Sequence, residues 1–372
     1  MARNLTDALT GVLDDVLDRG VEVHARGQNQ LEVRAHLLTV ERPTERVLVL
    51  PARRNNIFAQ IAETVWVLAG RSDIDFLGRY LPRAAEFSDD GLTWRAGYGP
   101  RLRDWGPGTD QLAGVVHRLK EDPNSKRAVM SIFDPASDYG DSKDVPCNNW
   151  LHFLRRDDSL NLSVAVRAND AIWGFSGINF FEWSVLQEIV AVSVGARPGD
   201  LNWFVGSMHV YERHYATAER IRRNSAPVSP YHYGVPSLAI TTTVEELDRQ
   251  LDSVLKAERL ARDGEYVPRV AGLTDPFFAA CTRMLQIYNM VRNDEPADAV
   301  LDALAGLPPS DFRVAAIEYL ARKRGADFSY ELPLLAQERA FLEHHFKAEA
   351  ALAKDRANDP APEKAAAVAE PV

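Results

Sequence analysis

Cys147 and Cys281 are the chain's two cysteines, too few for a disulfide framework. No grouping of His, Cys, Asp and Glu has the spacing of a metal site. Positive charge is also short: 43 Lys and Arg stand against 53 Asp and Glu, a formal net charge of −10. That argues against general nucleic-acid binding, for which a basic domain is expected. A small anionic ligand remains open, because a few arginines can make a local positive pocket in an acidic protein. Long apolar runs are missing too. Residues 1–7 hold no signal-peptide core, and the most apolar stretch, 57–68, contains Gln60 and Glu63 and is too short to span a bilayer. A cytoplasmic, reducing setting with no membrane contact is the expectation. The 372 residues are 46% hydrophobic and 26% charged, enough for one large core and an accessory unit.

Apolar spacing predicts an opening helix over 5–17, short strands within 21–49 (31–33, 37–40 and 47–50), and a strongly apolar helix over 57–69 closed by Gly70. Residues 80–108, rich in Gly, Pro, Trp and Arg, read as an ordered loop region. A short helix over 112–119 precedes a strand over 128–133. A long apolar helix over 180–194 ends at Gly195, a strand follows at 201–205, and a basic helix then runs through Arg222 and Arg223. From 244 the pattern is helical throughout. From Lys347 the composition turns to Ala, Pro, Glu and Lys and predicts a flexible tail. Trp66, Trp150 and Trp183 are expected in the core.

The most informative stretch is 145–170. Residues 150–154 and 160–166 alternate, with the charged turn 155–158 between them, so they predict an antiparallel hairpin. Cys147 opens the first strand and Arg167 ends the second. Those ends meet in an antiparallel pair, which sets a guanidinium beside a thiol. A neighbouring cation favours the thiolate and makes it a nucleophile. A lone cysteine more often packs as a small hydrophobe, so the flanking residues decide.

Those residues resemble the thymidylate synthase family, including its deoxycytidylate and cytidylate hydroxymethylases. Ser125-Lys126-Arg127 resembles the family's phosphate-binding Ser-Arg-Arg, and Pro146-Cys147 its nucleophile. Arg167-Ala168-Asn169-Asp170 is similar to its Arg-Ser-x-Asp. Gly174 and Asn179 resemble the Gly and base-reading Asn at the head of the long central helix, with one extra residue between them. His209-Val210-Tyr211 resembles the sugar-binding His-x-Tyr. Glu63 to Gly70 resembles the helix that bears the catalytic glutamate, and Tyr98-Gly99 resembles a Tyr-Gly pair of the family. The resemblance covers about residues 5–243.

It implies an α+β fold: a thymidylate synthase-like mixed sheet with a long central helix, plus a helical C-terminal extension. The implied division is a catalytic domain over 1–243, helices over 244–346 and a tail over 347–372. Cys147, Glu63, Asn148 and Tyr98 become the catalytic set. Arg26, Lys126, Arg127, Arg167 and Ala168 surround a 5′-phosphate, while Asn179 reads the ring and His209 and Tyr211 hold the sugar. Asp170, Ala84 and Phe87 face the folate, 5,10-methylenetetrahydrofolate, which donates the carbon. A homodimer is implied, because phosphate contacts cross the interface in this family. A primary amide can match uracil or cytosine by turning over; in the family Asn goes with uracil, so Asn179 tilts that way.

Three departures bear on the product. Ala84 and Phe87 stand where thymidylate synthases carry two tryptophans, which opens the reacting carbon to water and favours a hydroxymethyl product. Lys126 and Ala168 replace the first phosphate arginine and the family serine, as in the cytidylate hydroxymethylase branch. Asn148 replaces the histidine after the nucleophile. The expected activity is C5 hydroxymethylation of a pyrimidine nucleoside monophosphate (CMP, dCMP or dUMP). Reductive methylation of dUMP by a thymidylate synthase, and a silent nucleotide-binding relative, are the alternatives.

Overall fold

A computed structural model describes residues 1–25, 27–106, 108–223, 228–325 and 331–358. Arg26 lies outside the described residues. The centre of the fold is a six-stranded sheet in the order β1-β2-β6-β5-β4-β3. Its strands are β1 (Val21–Ala25), β2 (Gln28–Val40), β3 (Val129–Ser131), β4 (Asn148–Arg156), β5 (Ser159–Asp170) and β6 (Arg197–Tyr211). Every neighbouring pair is antiparallel except β5–β6. That parallel pair needs a crossover, supplied by the central helix Phe180–Ser193.

One face of the sheet is covered by helices. In β5 Leu160, Leu162, Val164 and Val166 point into that core, as alternation requires. The opening helix Leu5–Arg19, capped by the Asn4 side chain on Asp7 N, buries Leu5, Leu9, Val12, Leu13 and Val16. The helix Ile57–Leu68 is buried on every side, as a helix apolar all round should be. It carries Glu63 into the interior.

The other face is open. Register aligns Leu37 with Phe204, Phe204 with Ala165, Ala165 with Trp150, and Trp150 with Ser131. Leu37, Phe204 and Trp150 are exposed in that row. Trp150 is therefore not a core residue: its register puts it on the uncovered side.

The C-terminal helices Pro276–Arg292 and Asp311–Arg324 pack against the helix Ile57–Leu68, and Val244–Arg262 packs on Pro276–Arg292, in one continuous apolar cluster. Phe58 meets Tyr288 and Tyr319 at ring distances of 5.5 and 5.0 Å, contacts worth about 0.5–1.5 kcal/mol each beyond area burial. The Tyr80 hydroxyl donates to Glu258 at 2.7 Å and accepts from Asn289 at 2.8 Å, so polar groups are matched across the same boundary. This extension stiffens the support of the glutamate helix.

Two local expectations change. Residues 47–50 form no strand: all four are buried, and Val47 N donates to the Tyr231 hydroxyl while the Leu48 carbonyl accepts from Asn55. Side-chain groups satisfy the backbone that a ladder would otherwise have paired. The tail expected from Lys347 is helical as far as Asn358, within the helix Ala336–Asn358; residues 359–372 lie outside the described residues. Among the described residues no helix is long and apolar enough to cross a membrane.

Candidate active site

The β4–β5 hairpin sets Cys147, the candidate nucleophile. Asn148 lies opposite Val166, and Arg167 N donates to the Cys147 carbonyl at 2.8 Å. The Arg167 guanidinium turns back along the chain: Nε donates to Pro146 O at 2.9 Å and Nη2 to Val145 O at 2.6 Å. Nη2 is then 3.7 Å from Cys147 Sγ. Two carbonyls fix the cation, and the cation favours the thiolate. Neither cysteine is in a disulfide.

Asn148 is fully buried, and both ends of its amide are engaged. Nδ2 donates to the Tyr98 hydroxyl at 2.7 Å, and Oδ1 accepts from Trp183 Nε1 at 3.0 Å. The Tyr98 and Trp183 rings lie 5.3 Å apart. Desolvation pushes the Tyr98 phenol well above its ordinary range, and the nearby Cys147 and Glu182 add to the rise. Asn148 is a fixed brace directly after Cys147, and Tyr98 keeps its proton.

Burial raises Glu63 to about 8, with Asp144 adding to the rise. Sequence reasoning missed its neighbour Glu182, in the first turn of the central helix. Glu182 is buried and neither oxygen has a hydrogen bond among the described residues; Asn179 approaches it without completing one. Desolvation, then Glu63, push it well above the carboxylate range. Two buried acids repel each other's charge, which favours the protonated form of each. The signal available in sequence was a glutamate within an otherwise apolar run.

The residues Ala171–Asn179 form a π-helical turn leading into the central helix. A π turn accommodates extra chain, and such turns recur at functional sites; the additional residue between Gly174 and Asn179 is absorbed here. Asn179 ends the turn, buried, with Oδ1 accepting from Asn169 Nδ2 at 3.2 Å. Asp170 caps the turn through Ile172 N at 2.9 Å. Arg53, also unmarked by sequence, is buried and reaches Ser176 Oγ at 3.3 Å and the Ile172 carbonyl. Its pKa falls to about 10 by burial, against the pull of Asp170.

His209 lies opposite Asp170 on β6. Its Nδ1 is 3.2 Å from the Ser207 carbonyl, so Nδ1 carries the proton. Nε2 is then an acceptor, and it has no hydrogen-bond partner among the described residues. Burial lowers the His209 pKa, keeping the ring neutral. Tyr211 packs edge-on at 4.9 Å. An orphaned buried acceptor beside a phenol suits a sugar hydroxyl. Asp170 offers the acceptor that the N–H edge of a pterin requires, so the residues present fit a folate.

Other candidates lie farther out. Ala84 is buried in the short helix Pro82–Phe87, and Phe87 stacks on Trp94 at 5.2 Å; Trp94 in turn donates to Asp144 at 3.0 Å. Ala168 pairs with Ser207. Lys126 and Arg127 are exposed and make no ion pair among the described residues. They precede Val129, which is opposite His152, and the Lys126 carbonyl contacts His152. His152 is five residues from Cys147, roughly 17 Å along a strand. One chain does not bring this basic pair to its own cysteine.

A thiol beside a guanidinium, a buried acid on an apolar helix and a mixed sheet suit a one-carbon transferase, and the chain belongs to the thymidylate synthase family, whose model matches residues 8–252. As a member it is a one-carbon transferase with 5,10-methylenetetrahydrofolate as donor. It is 31% identical over 350 residues to the deoxyuridylate hydroxymethyltransferase of Bacillus phage SP01, covering 85% of this chain and 91% of that protein. The protein of the same name from Pseudomonas phage M6 is 31% identical over 340 residues, covering 87% and 94%. That of Delftia phage PhiW-14 is 38% identical over 182 residues, covering 46% and 50%.

Proposed function

We propose that the protein hydroxymethylates C5 of a pyrimidine nucleoside 5′-monophosphate, with deoxyuridylate as substrate and water as the source of the hydroxyl. The observation that carries this reading is Cys147 Sγ 3.7 Å from the Arg167 guanidinium, in a site that also holds the protonated Glu63. The names of the phage relatives add the uracil base and the hydroxymethyl product.

Methylenetetrahydrofolate supplies the one-carbon unit. Cys147 adds as thiolate to ring C6, which turns C5 into a nucleophile. Glu63, protonated below about pH 8, donates toward the ring oxygen on which charge develops. Asn179 holds the ring edge, His209 Nε2 accepts from a sugar hydroxyl beside Tyr211, and Asp170 receives the pterin. Arg167 serves the thiolate and the 5′-phosphate together. Ala84 and Phe87, in place of tryptophans, leave the exocyclic carbon to water. C5 would take the one-carbon unit and give up its own proton as tetrahydrofolate departs; water then adds to the exocyclic carbon, its proton passes to a carboxylate, and Cys147 leaves as thiolate while C5=C6 re-forms.

The active unit is a homodimer in the cytoplasm. Lys126 and Arg127 are too far from Cys147 of their own chain to share a phosphate with it, and the open row Leu37–Phe204–Trp150 supplies an apolar face for a second copy. Across that face the basic pair reaches the partner's site.

The test incubates the protein and methylenetetrahydrofolate with dUMP, dCMP, UMP or CMP in turn. The expected product is dUMP heavier by one formaldehyde unit, with no dihydrofolate absorbance. Thymidylate with dihydrofolate means a synthase, and no conversion of any nucleotide means a silent relative.

A further inference from the structure

The amide of Asn179 is not at liberty to turn over, and the cause lies outside the ligand site. Behind it stands Asn169, buried at the end of β5, and behind Asn169 stands Trp203, buried on β6. Trp203 Nε1 donates to Asn169 Oδ1 at 3.1 Å. An indole N–H can only donate. The atom of Asn169 that faces it must therefore be oxygen, because a flipped amide would set two donors against each other. With Oδ1 committed to Trp203, Nδ2 is the end of Asn169 that faces Asn179, and it donates to Asn179 Oδ1 at 3.2 Å. Turning Asn179 over would bring two NH2 groups together in a dry interior, at the cost of unsatisfied donors.

Gly174 closes this relay from the other side. A Cβ at that position would lie 2.5 Å from Asn169 Nδ2 and 3.6 Å from Asn179 Oδ1. Any residue but glycine would push the two amides out of register. Backbone space, the hydrogen-bond chain and a donor-only indole all favour one rotamer of Asn179.

We infer that Trp203 and Asn169 are positioning residues for base selectivity, locking Asn179 so that the protein reads uracil and rejects cytosine. The inference rests on the proposed nucleotide site. The locked amide presents Nδ2 to the ring's 4-position and keeps an oxygen lone pair for N3–H. Uracil matches both, with its O4 acceptor and N3–H donor. Cytosine opposes both: its 4-amino group meets Nδ2, and its N3 lone pair meets Oδ1. Asn alone at the reading position permits either base; the residues behind it remove that freedom.

The experiment measures dissociation constants of dUMP and dCMP by calorimetry, without folate, for the wild-type chain, Asn169→Asp, Asn169→Leu and Trp203→Phe. Wild type should bind dUMP at least tenfold tighter than dCMP. In Asn169→Asp the carboxylate accepts from Trp203 and from Asn179, which turns the reading amide over, and the preference should reverse toward dCMP. Asn169→Leu removes the constraint altogether, and the ratio should fall toward unity through weaker dUMP binding and stronger dCMP binding. Trp203→Phe frees Asn169 to flip and should give a smaller fall in the same ratio. A purely structural role would weaken both nucleotides together and leave the ratio untouched. Thermal unfolding identifies variants that fold, and the conclusion is drawn on those, Trp203→Phe being the mildest. An unchanged ratio in the folded variants, or a wild type that prefers dCMP, overturns the inference with the transferase reading intact. A wild type that binds neither nucleotide overturns the transferase reading instead.

Discussion

Glu63→Gln tests the buried acid through stability, independently of turnover. The folded chain holds this proton to about pH 8, against 4.5 for an ordinary glutamate. The first cause is burial, and Asp144 adds to it. Between those two pH values the folded state binds a proton that the unfolded chain has released, so raising the pH destabilises the fold. Each pH unit is worth about 1.4 kcal/mol, so from pH 5 to pH 9 the loss at this residue is about 4 kcal/mol, levelling off above 8. Glutamine has no proton to lose. Urea unfolding of both proteins at pH 5, 7 and 9 should therefore show the variant gaining on wild type by up to that amount, mostly between pH 5 and 8. Titrating groups away from this pair are common to the two proteins and cancel in the comparison, while Glu182, which the Glu63 charge raises, moves with it. Parallel stability curves from pH 5 to 9 would falsify the buried, proton-holding Glu63 on which the acid role depends.

Two more predictions follow from the same geometry. A chain with Arg127→Glu and a chain with Cys147→Ala should each be inactive. Mixed one to one and allowed to exchange subunits, they should recover about a quarter of wild-type activity, because half the dimers are mixed and each holds one intact site; no recovery in exchanged dimers refutes the phosphate contact across the interface. Asn148→Ala leaves the Tyr98 hydroxyl and the Trp183 indole without their partner. It should cost about 2–4 kcal/mol in denaturant unfolding and lower the rate of Cys147 alkylation by iodoacetamide; a loss under about 1 kcal/mol would show that Asn148 is not the brace described.

Much of the site was legible because it is carried by contiguous motifs. The 150–154 and 160–166 alternation defines a hairpin whose ends must meet, and that places Arg167 beside Cys147 before any tertiary contact is known. Glu63 stood out because a carboxylate inside an apolar helix needs a reason. Glu182 escaped notice for lack of a motif around it: its isolation from hydrogen-bond partners is a property of three packed segments. Residues 47–50 misled because a short, wholly buried run of Val and Leu looks like a strand until the groups that satisfy its backbone are known. The helical reach beyond Lys347 was hidden by a composition typical of loose tails, while Phe341 and Leu342, just ahead of it, anchor that helix in the core.

The sequence by itself determined the family and marked the candidate nucleophile, the buried acid and the candidate base reader, because local pattern and motif spacing hold that information. Tertiary structure alone decided three things. It set Lys126 and Arg127 too far from Cys147 to act within one chain, since sheet register fixes distance. It joined the C-terminal helices to the core of the glutamate helix. And it linked Trp203, Asn169 and Asn179, residues on two strands and a π turn, into a relay whose direction follows from an indole that can only donate.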